Sequence, residues 1–255
     1  MQIIARLKEL YNQDSKHSNY QLIHASIAKH IAVDSIRVNS RYEQERLAYI
    51  GDNVALSGKS VLDVGGNTGF FTFSALEQGA LSVDYFEGNK NHAEFVELSS
   101  RLLGVEKNIS VNPRYYDFSS GESRYDVVFL LNVIHHYGDD YGDGRVNMDQ
   151  AKSCMLEQLN KLAGIADTLV FQMGFCWQGD VGKPLFARGT KGEMIDFIQQ
   201  GTGDAWETVK IGIAERRHEG IVYADLSEEN IGRDDSLGEF LNRPIFIMKS
   251  RGGLA

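Results

Sequence analysis

The chain has 255 residues, 42% apolar and 24% charged, enough to bury a full core and close to the globular average, which excludes disordered, collagen-like and coiled-coil architectures. Its 26 Lys and Arg against 35 Asp and Glu leave a formal net charge of −9, so no global field draws it to phosphate backbones or anionic lipid, and nucleic acid is set aside as a partner. Cys154 and Cys176, the two cysteines, supply neither a disulfide framework nor a four-thiolate zinc site.

Taken in chain order, the first residues (Met1 to Lys8) become charged too early for a signal peptide. No stretch approaches 18 uninterrupted apolar residues, so a cytoplasmic protein without membrane insertion is expected. Up to about residue 50 apolar residues recur at helical spacing: Ile3, Ile4, Leu7, Leu10 and Tyr11, then Ile23, Ile27 and Ile31, then Tyr42, Leu47 and Ile50. From residue 58 short apolar runs alternate with helical stretches. Strands are predicted at 60–64, 81–86, 109–114, 126–131, 168–173, 206–213 and 244–248, and helices at 70–78, 91–103, 151–163 and 192–200. Such alternation predicts an open α/β domain, a mostly parallel sheet with helices on both faces, over 51–255 behind an N-terminal helical cap over 1–50. The stretch 174–243 reads as a variable insertion, and its part from Glu215 to Arg243 is polar.

The first predicted strand runs into Asp63-Val64-Gly65-Gly66-Asn67-Thr68-Gly69-Phe70-Phe71. Glycines at a strand-to-helix turn let a ligand approach the backbone and place it at a helix N-terminus. A dinucleotide fingerprint would need Gly-x-Gly-x-x-Gly; counted from Gly65 its glycines fall on Asn67 and Phe70, and counted from Gly66 on Thr68 and Phe71. The Gly-Lys-Ser/Thr ending of a phosphate loop is absent as well.

The spacing that does fit is Asp-x-Gly-x-x-x-Gly on Asp63, Gly65 and Gly69, and here the chain resembles the class I S-adenosylmethionine-dependent methyltransferases. Glu87 ends the second strand, Asp117 follows the third in Tyr115-Tyr116-Asp117-Phe118, and Asn132-Val133-Ile134-His135-His136 follows the fourth. The resemblance covers about residues 58–175. It implies a Rossmann-like seven-stranded sheet and S-adenosylmethionine held by Asp63, Gly65, Gly66, Asn67, Gly69, Glu87, Asp117 and Asn132. Glu87 takes the ribose hydroxyls and Asp117 the adenine amine. Asn67 is a departure, since many members have glycine there. A carboxylate suits two vicinal hydroxyl donors; a solvated strand-end Glu87 and a turn-capping Asp117 are the structural alternatives.

Methyl transfer from a sulfonium requires alignment, and a base only when the acceptor holds its proton tightly. His136, and less so His135, fits that base; alternatively both only shape the pocket. The loop Gly138 to Gly144 (Gly-Asp-Asp-Tyr-Gly-Asp-Gly) meets calcium-loop spacing only in part, so a solvated acidic loop is expected and no metal. In the cap, Arg41 could clamp the cofactor's carboxylate or belong to an ordinary helix face. The polar run Lys16 to Gln21 and scant apolar continuity with the later strands suggest a lid that orders on binding. Lys183, Arg188, Arg216, Arg217 and His218 fall where acceptor recognition usually resides. The expected activity is methylation of an oxygen on a small molecule or saccharide. The alternative is a non-catalytic S-adenosylmethionine-binding module with a regulatory role.

Overall fold

The computed structural model describes residues 2–13, 18, 20–31, 38–119 and 123–252, so Lys16, His17 and Asn19 lie outside the described residues. The chain groups into two compact units: residues 1–47 with 55–116, and residues 48–54 with 117–255.

The first unit starts with α1 (Gln2–Asn12), α2 (Ala25–Ala28) and the first half of α3 (Glu43–Asn53). It continues through β1 (Ser60–Val64), α4 (Phe70–Glu77), β2 (Ser82–Phe86), α5 (Lys90–Leu103) and β3 (Ile109–Asn112). β2 lies between β1 and β3, parallel to both, and the register sets Asp63 opposite Tyr85 and Val64 opposite Phe86. β1 is buried almost throughout, as strands covered on both faces are, and its Val-Leu run follows from that. α5 is capped by the Asn89 side chain and ends on Gly104 at φ 69°, a left-handed stop that glycine adopts without steric cost.

The helical spacing of the first 31 residues has a partner. Leu7, Leu10, Tyr11, Ile27 and Ile31 share one buried cluster with Phe73, Tyr85, Phe95 and Val96, and Arg6 forms a two-point ion pair with Glu94 at 2.8 and 2.9 Å. The expectation of scant apolar continuity is therefore corrected. A period of 3.6 shows that a face is apolar, not what that face packs on.

The second unit holds β4 (Tyr125–Leu131), α6 (Met148–Leu162), β5 (Ala166–Gln172), α7 (Lys191–Thr202), β6 (Trp206–Arg217), β7 (Gly220–Asp225), α8 (Gly238–Leu241) and β8 (Ile245–Ser250). Its strand order is β4-β5-β8-β6-β7. β4 and β5 are parallel, and the β5–β8, β8–β6 and β6–β7 pairs are antiparallel. α6 and α7 each open with a capping box, Asn147 with Gln150 and Thr190 with Glu193, which satisfies two helix N-terminal donors reciprocally. Trp206, buried, donates its Nε1–H to the Leu159 carbonyl at 2.8 Å. The buried Lys191 ammonium donates to the carbonyls of Asn230 at 3.0 Å and Gly232 at 2.9 Å, gathering the loop after β7.

Among the described residues there are eight strands, three in the first unit and five in the second, not seven. The addition is β7, inside the stretch read as polar: it lies at the end of the strand order, with half-exposed residues between exposed ends, so burial imposes little pattern on it. Among the described residues no helix is long and apolar enough to cross a membrane.

Candidate active site

Of the residues singled out from the sequence, Arg41, Asp63, Gly65, Gly66, Asn67, Gly69 and Glu87 belong to the first unit, and Asp117, Asn132, His135 and His136 to the second.

In the first unit the chain leaves β1 by curling over the end of β2, because the N–H groups of Gly65 and Gly66 both donate to the Phe86 carbonyl, at 2.8 and 3.3 Å. Gly65, Asn67 and Gly69 all have positive φ, at 70°, 51° and 81°. Asparagine tolerates the left-handed region, so the departure at Asn67 keeps the turn. A Cβ on Gly66 would lie 2.5 Å from the Tyr85 ring and 2.8 Å from the Asp63 carboxylate, so only glycine fits there. The Tyr85 hydroxyl donates to the Asn67 carbonyl.

Glu87 closes the turn. Its Oε2 accepts the Asn67 N–H at 2.9 Å and its Oε1 the Asn89 N–H at 2.8 Å. Backbone donors thus hold the carboxylate in place at the end of β2. Asp63 lies beneath the loop, fully buried, and accepts the Thr72 hydroxyl at 2.6 Å. Burial pushes its carboxyl up to about 7, with the Thr72 hydrogen bond opposing and Glu87 adding to the rise. Asp63 therefore supports the loop from below. Arg41 stacks its guanidinium over the Tyr20 ring at 4.8 Å and gives its carbonyl to Arg46 Nε at 3.0 Å.

In the second unit Asp117 is exposed and accepts the N–H and hydroxyl of Ser119 at 2.9 and 2.6 Å, a turn of its own making. Asn132 sits at φ 65° just after β4. Its amide donates to Gln172 Oε1 at 2.9 Å, and its carbonyl accepts Arg243 Nη1 at 2.8 Å. Arg243 also pairs with Glu239, whose carboxylate accepts the Phe175 N–H at 3.0 Å. Burial pushes Glu239 up, but Arg243 outweighs it and leaves the carboxyl below its ordinary range.

The two histidines differ. His135 is buried and accepts the Gly174 N–H on Nδ1 at 3.2 Å, and a Cβ on Gly174 would lie 2.8 Å from its Nε2. A nitrogen committed as acceptor puts the ring proton on Nε2, which suits packing more than proton removal. His136 is 13% exposed, with Nδ1 3.5 Å from Asp140 and 3.9 Å from Asp139. These three ligand atoms lie within 4.8 Å of one another, a spacing that serves a carboxylate-oriented imidazole and would also admit a cation. Nearby, Trp177 donates to the Tyr137 carbonyl at 2.7 Å, and Gln178 holds φ 60°. Of the cations singled out, Lys183 lies over Trp177 and donates to Gln178 at 2.8 Å. Arg188 pairs with Glu193 at 3.4 Å, and Arg216, Arg217 and His218 are exposed at the β6–β7 turn.

Sequence reasoning missed Gln21, Thr72, Tyr85, Asp140, Glu239 and Arg243 as supports of these residues. Asp140 was reachable, four positions after His136 in the turn that follows it, where its N–H donates to the His136 carbonyl; the others act from distant segments.

No family model matches the chain. A tRNA U34 carboxymethyltransferase of Campylobacter curvus (strain 525.92) is 26% identical over 117 residues, 42% of this chain and 36% of its own length; the chain spans about a third of that relative. Among solved structures, a candidate RNA methyltransferase from Pyrococcus horikoshii superposes with TM-score 0.51 at 14% identity, covering 98% of this chain and 96% of that one. The magnesium protoporphyrin IX methyltransferase of Synechocystis PCC 6803, with S-adenosylmethionine bound, gives TM-score 0.51 at 14% identity over 96% and 89%.

These matches correct the partner expectation. Proteins similar to this chain are named for tRNA and RNA, so a net charge of −9 does not exclude nucleic acid. Net charge describes a whole surface, whereas RNA docks on a local patch. The small-molecule or saccharide acceptor rested on that exclusion and falls with it.

Proposed function

Because the chain has the class I S-adenosylmethionine-dependent methyltransferase fold, we propose that it transfers the methyl group of S-adenosylmethionine to a hydroxyl oxygen of an RNA nucleotide. The observation that carries the cofactor half is the Glu87 carboxylate, fixed by the N–H groups of Asn67 and Asn89 at the end of β2. Vicinal ribose hydroxyls are two donors, and a carboxylate already oriented by backbone accepts both without further ordering cost. The left-handed turn over Gly65 to Gly69 exposes backbone for the rest of the molecule to approach.

When bound, S-adenosylmethionine supplies an activated methyl group on a sulfonium, which leaves as a neutral thioether. The chain aligns the acceptor and takes its proton. His136 suits proton removal, because Asp140 and Asp139 face its Nδ1. The acceptor's proton then passes to Nε2, and the carboxylates stabilise the imidazolium that forms. His135, Nδ1 committed to Gly174, packs beneath. RNA as acceptor is supported by the similar proteins' names and by the exposed Arg216, Arg217 and His218, which suit phosphate contact.

The test is transfer of isotope-labelled methyl from S-adenosylmethionine to total tRNA and ribosomal RNA. Nuclease digestion and mass spectrometry would then place the label. A nucleoside methylated on oxygen is expected. Label on nitrogen or carbon overturns the oxygen assignment, no label in either RNA overturns the acceptor, and failure to bind S-adenosylmethionine overturns the whole reading.

A further inference from the structure

We propose that Gln21 is a positioning residue for the glycine loop, its side-chain carbonyl holding Thr68 to Phe70 in the shape that admits S-adenosylmethionine. This rests on the cofactor reading above and extends it to a part of the chain that no glycine-loop motif includes.

α4 starts without a cap of its own, since Gly69 has no side chain to offer. The helix is buried over Phe70 to Ala75, so water cannot readily take up its orphan N-terminal donors. Gln21 supplies the missing acceptor. Its Oε1 takes the Phe70 N–H at 2.9 Å and the Thr68 hydroxyl at 3.1 Å, which fills both lone pairs of that carbonyl. Gln21 is itself 8% exposed. Its backbone carbonyl accepts the Tyr11 hydroxyl at 2.7 Å, and Tyr11 packs against Phe95 at 5.9 Å between ring centroids. The loop's C-terminal side, where it enters α4, is thereby tied to α1 and α5. On its other side Asn67 is tied to Glu87 and Tyr85. With Gly65 held in addition by the Phe86 carbonyl at 2.8 Å, the loop's three left-handed residues, Gly65, Asn67 and Gly69, cannot relax to an extended path. The polar residue that reads as part of a lid is thus a fixed strut.

Three variants separate this role from plain stability. Gln21→Met keeps length and most of the volume but removes the acceptor, Gln21→Glu keeps the acceptor, and Ile31→Val trims the same buried cluster away from the loop. In the cofactor-free protein, the Phe70 amide of Gln21→Met should exchange with solvent about tenfold faster by NMR. By calorimetry its affinity for S-adenosylmethionine should fall about tenfold, the scale of two lost neutral hydrogen bonds. Gln21→Glu and Ile31→Val should stay within about threefold of the wild type on both readouts. Unchanged exchange or unchanged affinity in Gln21→Met overturns the proposal, as does an equal loss in either control. A wild type that binds no S-adenosylmethionine takes the proposed function with it. The Phe70 exchange needs no cofactor and still decides whether Gln21 holds the loop.

Discussion

The Glu87 carboxylate accepts the backbone N–H of Asn67 at 2.9 Å, joining two residues twenty positions apart across the ends of β1 and β2. One group thus shapes the loop and, in the proposed function, accepts the ribose hydroxyls. Glu87→Ala removes both functions, and with a charged hydrogen bond contributing roughly 1.5–3 kcal/mol the affinity for S-adenosylmethionine should fall at least about tenfold. Calorimetry on folded Glu87→Ala protein measures it. Unchanged affinity would place the cofactor elsewhere.

Asp63 carries a pH signature. Its folded carboxyl is raised to about 7 from an ordinary 3.8, first by burial. The folded state therefore binds the proton more tightly, and the stability this brings is full below about pH 4 and gone above about pH 7. Between pH 5 and 8 the loss is on the order of 2–3 kcal/mol. His24 works in the opposite direction: burial lowers its value, so it withdraws stability as pH falls below about 6.5. The comparison with Asp63→Asn isolates the carboxyl. Urea unfolding at pH 5 and pH 8 should show a smaller fall, or a larger rise, in the variant. Identical pH dependence in the two proteins would refute the assignment.

His136→Ala should lower turnover about 10²–10⁴-fold while S-adenosylmethionine binds as before. Asp140→Asn should lower turnover by a smaller factor, since Asp139 remains within 3.9 Å of the imidazole. His135→Ala should act mainly on thermal stability, because that ring fills a buried space against Gly174. Steady-state kinetics beside calorimetry separates the three. Near-normal turnover in His136→Ala would leave alignment alone to carry the reaction.

Arg243 joins Glu239 to Asn132 inside the second unit. Arg243→Met would leave a partly buried carboxylate and an amide carbonyl without that donor, a loss of about 1–2 kcal/mol. Arg243→Lys should not restore it, since one ammonium cannot reproduce the guanidinium's fork. Thermal unfolding of the two variants gives the comparison, and full rescue by lysine would show that charge alone matters.

How much of this could be read from the chain depends on the range of each interaction. The turn from Val64 to Phe70 was legible because glycine spacing and the switch from strand to helix are local. The position of Glu87, directly after β2, was legible because that strand is buried. The inward turn of Asn132 was not, since its partner Arg243 lies 111 residues later. Gln21 stands 47 residues from Thr68, and nothing in its own neighbourhood marks it. β7 escaped because a half-exposed strand has no strict alternation to show.

Trp177 and Trp206 are the chain's two tryptophans, and both belong to the second unit. Trp206 is 1% exposed and hydrogen-bonded to Leu159; Trp177 lies under the Lys183 ammonium at 5.2 Å. Both indoles that emit therefore belong to the second unit. Trp206 gives a blue-shifted signal of its core, and Trp177 one that varies with the segment after β5. The glycine loop and α1 carry no indole of their own, so their loosening is followed through circular dichroism or amide exchange.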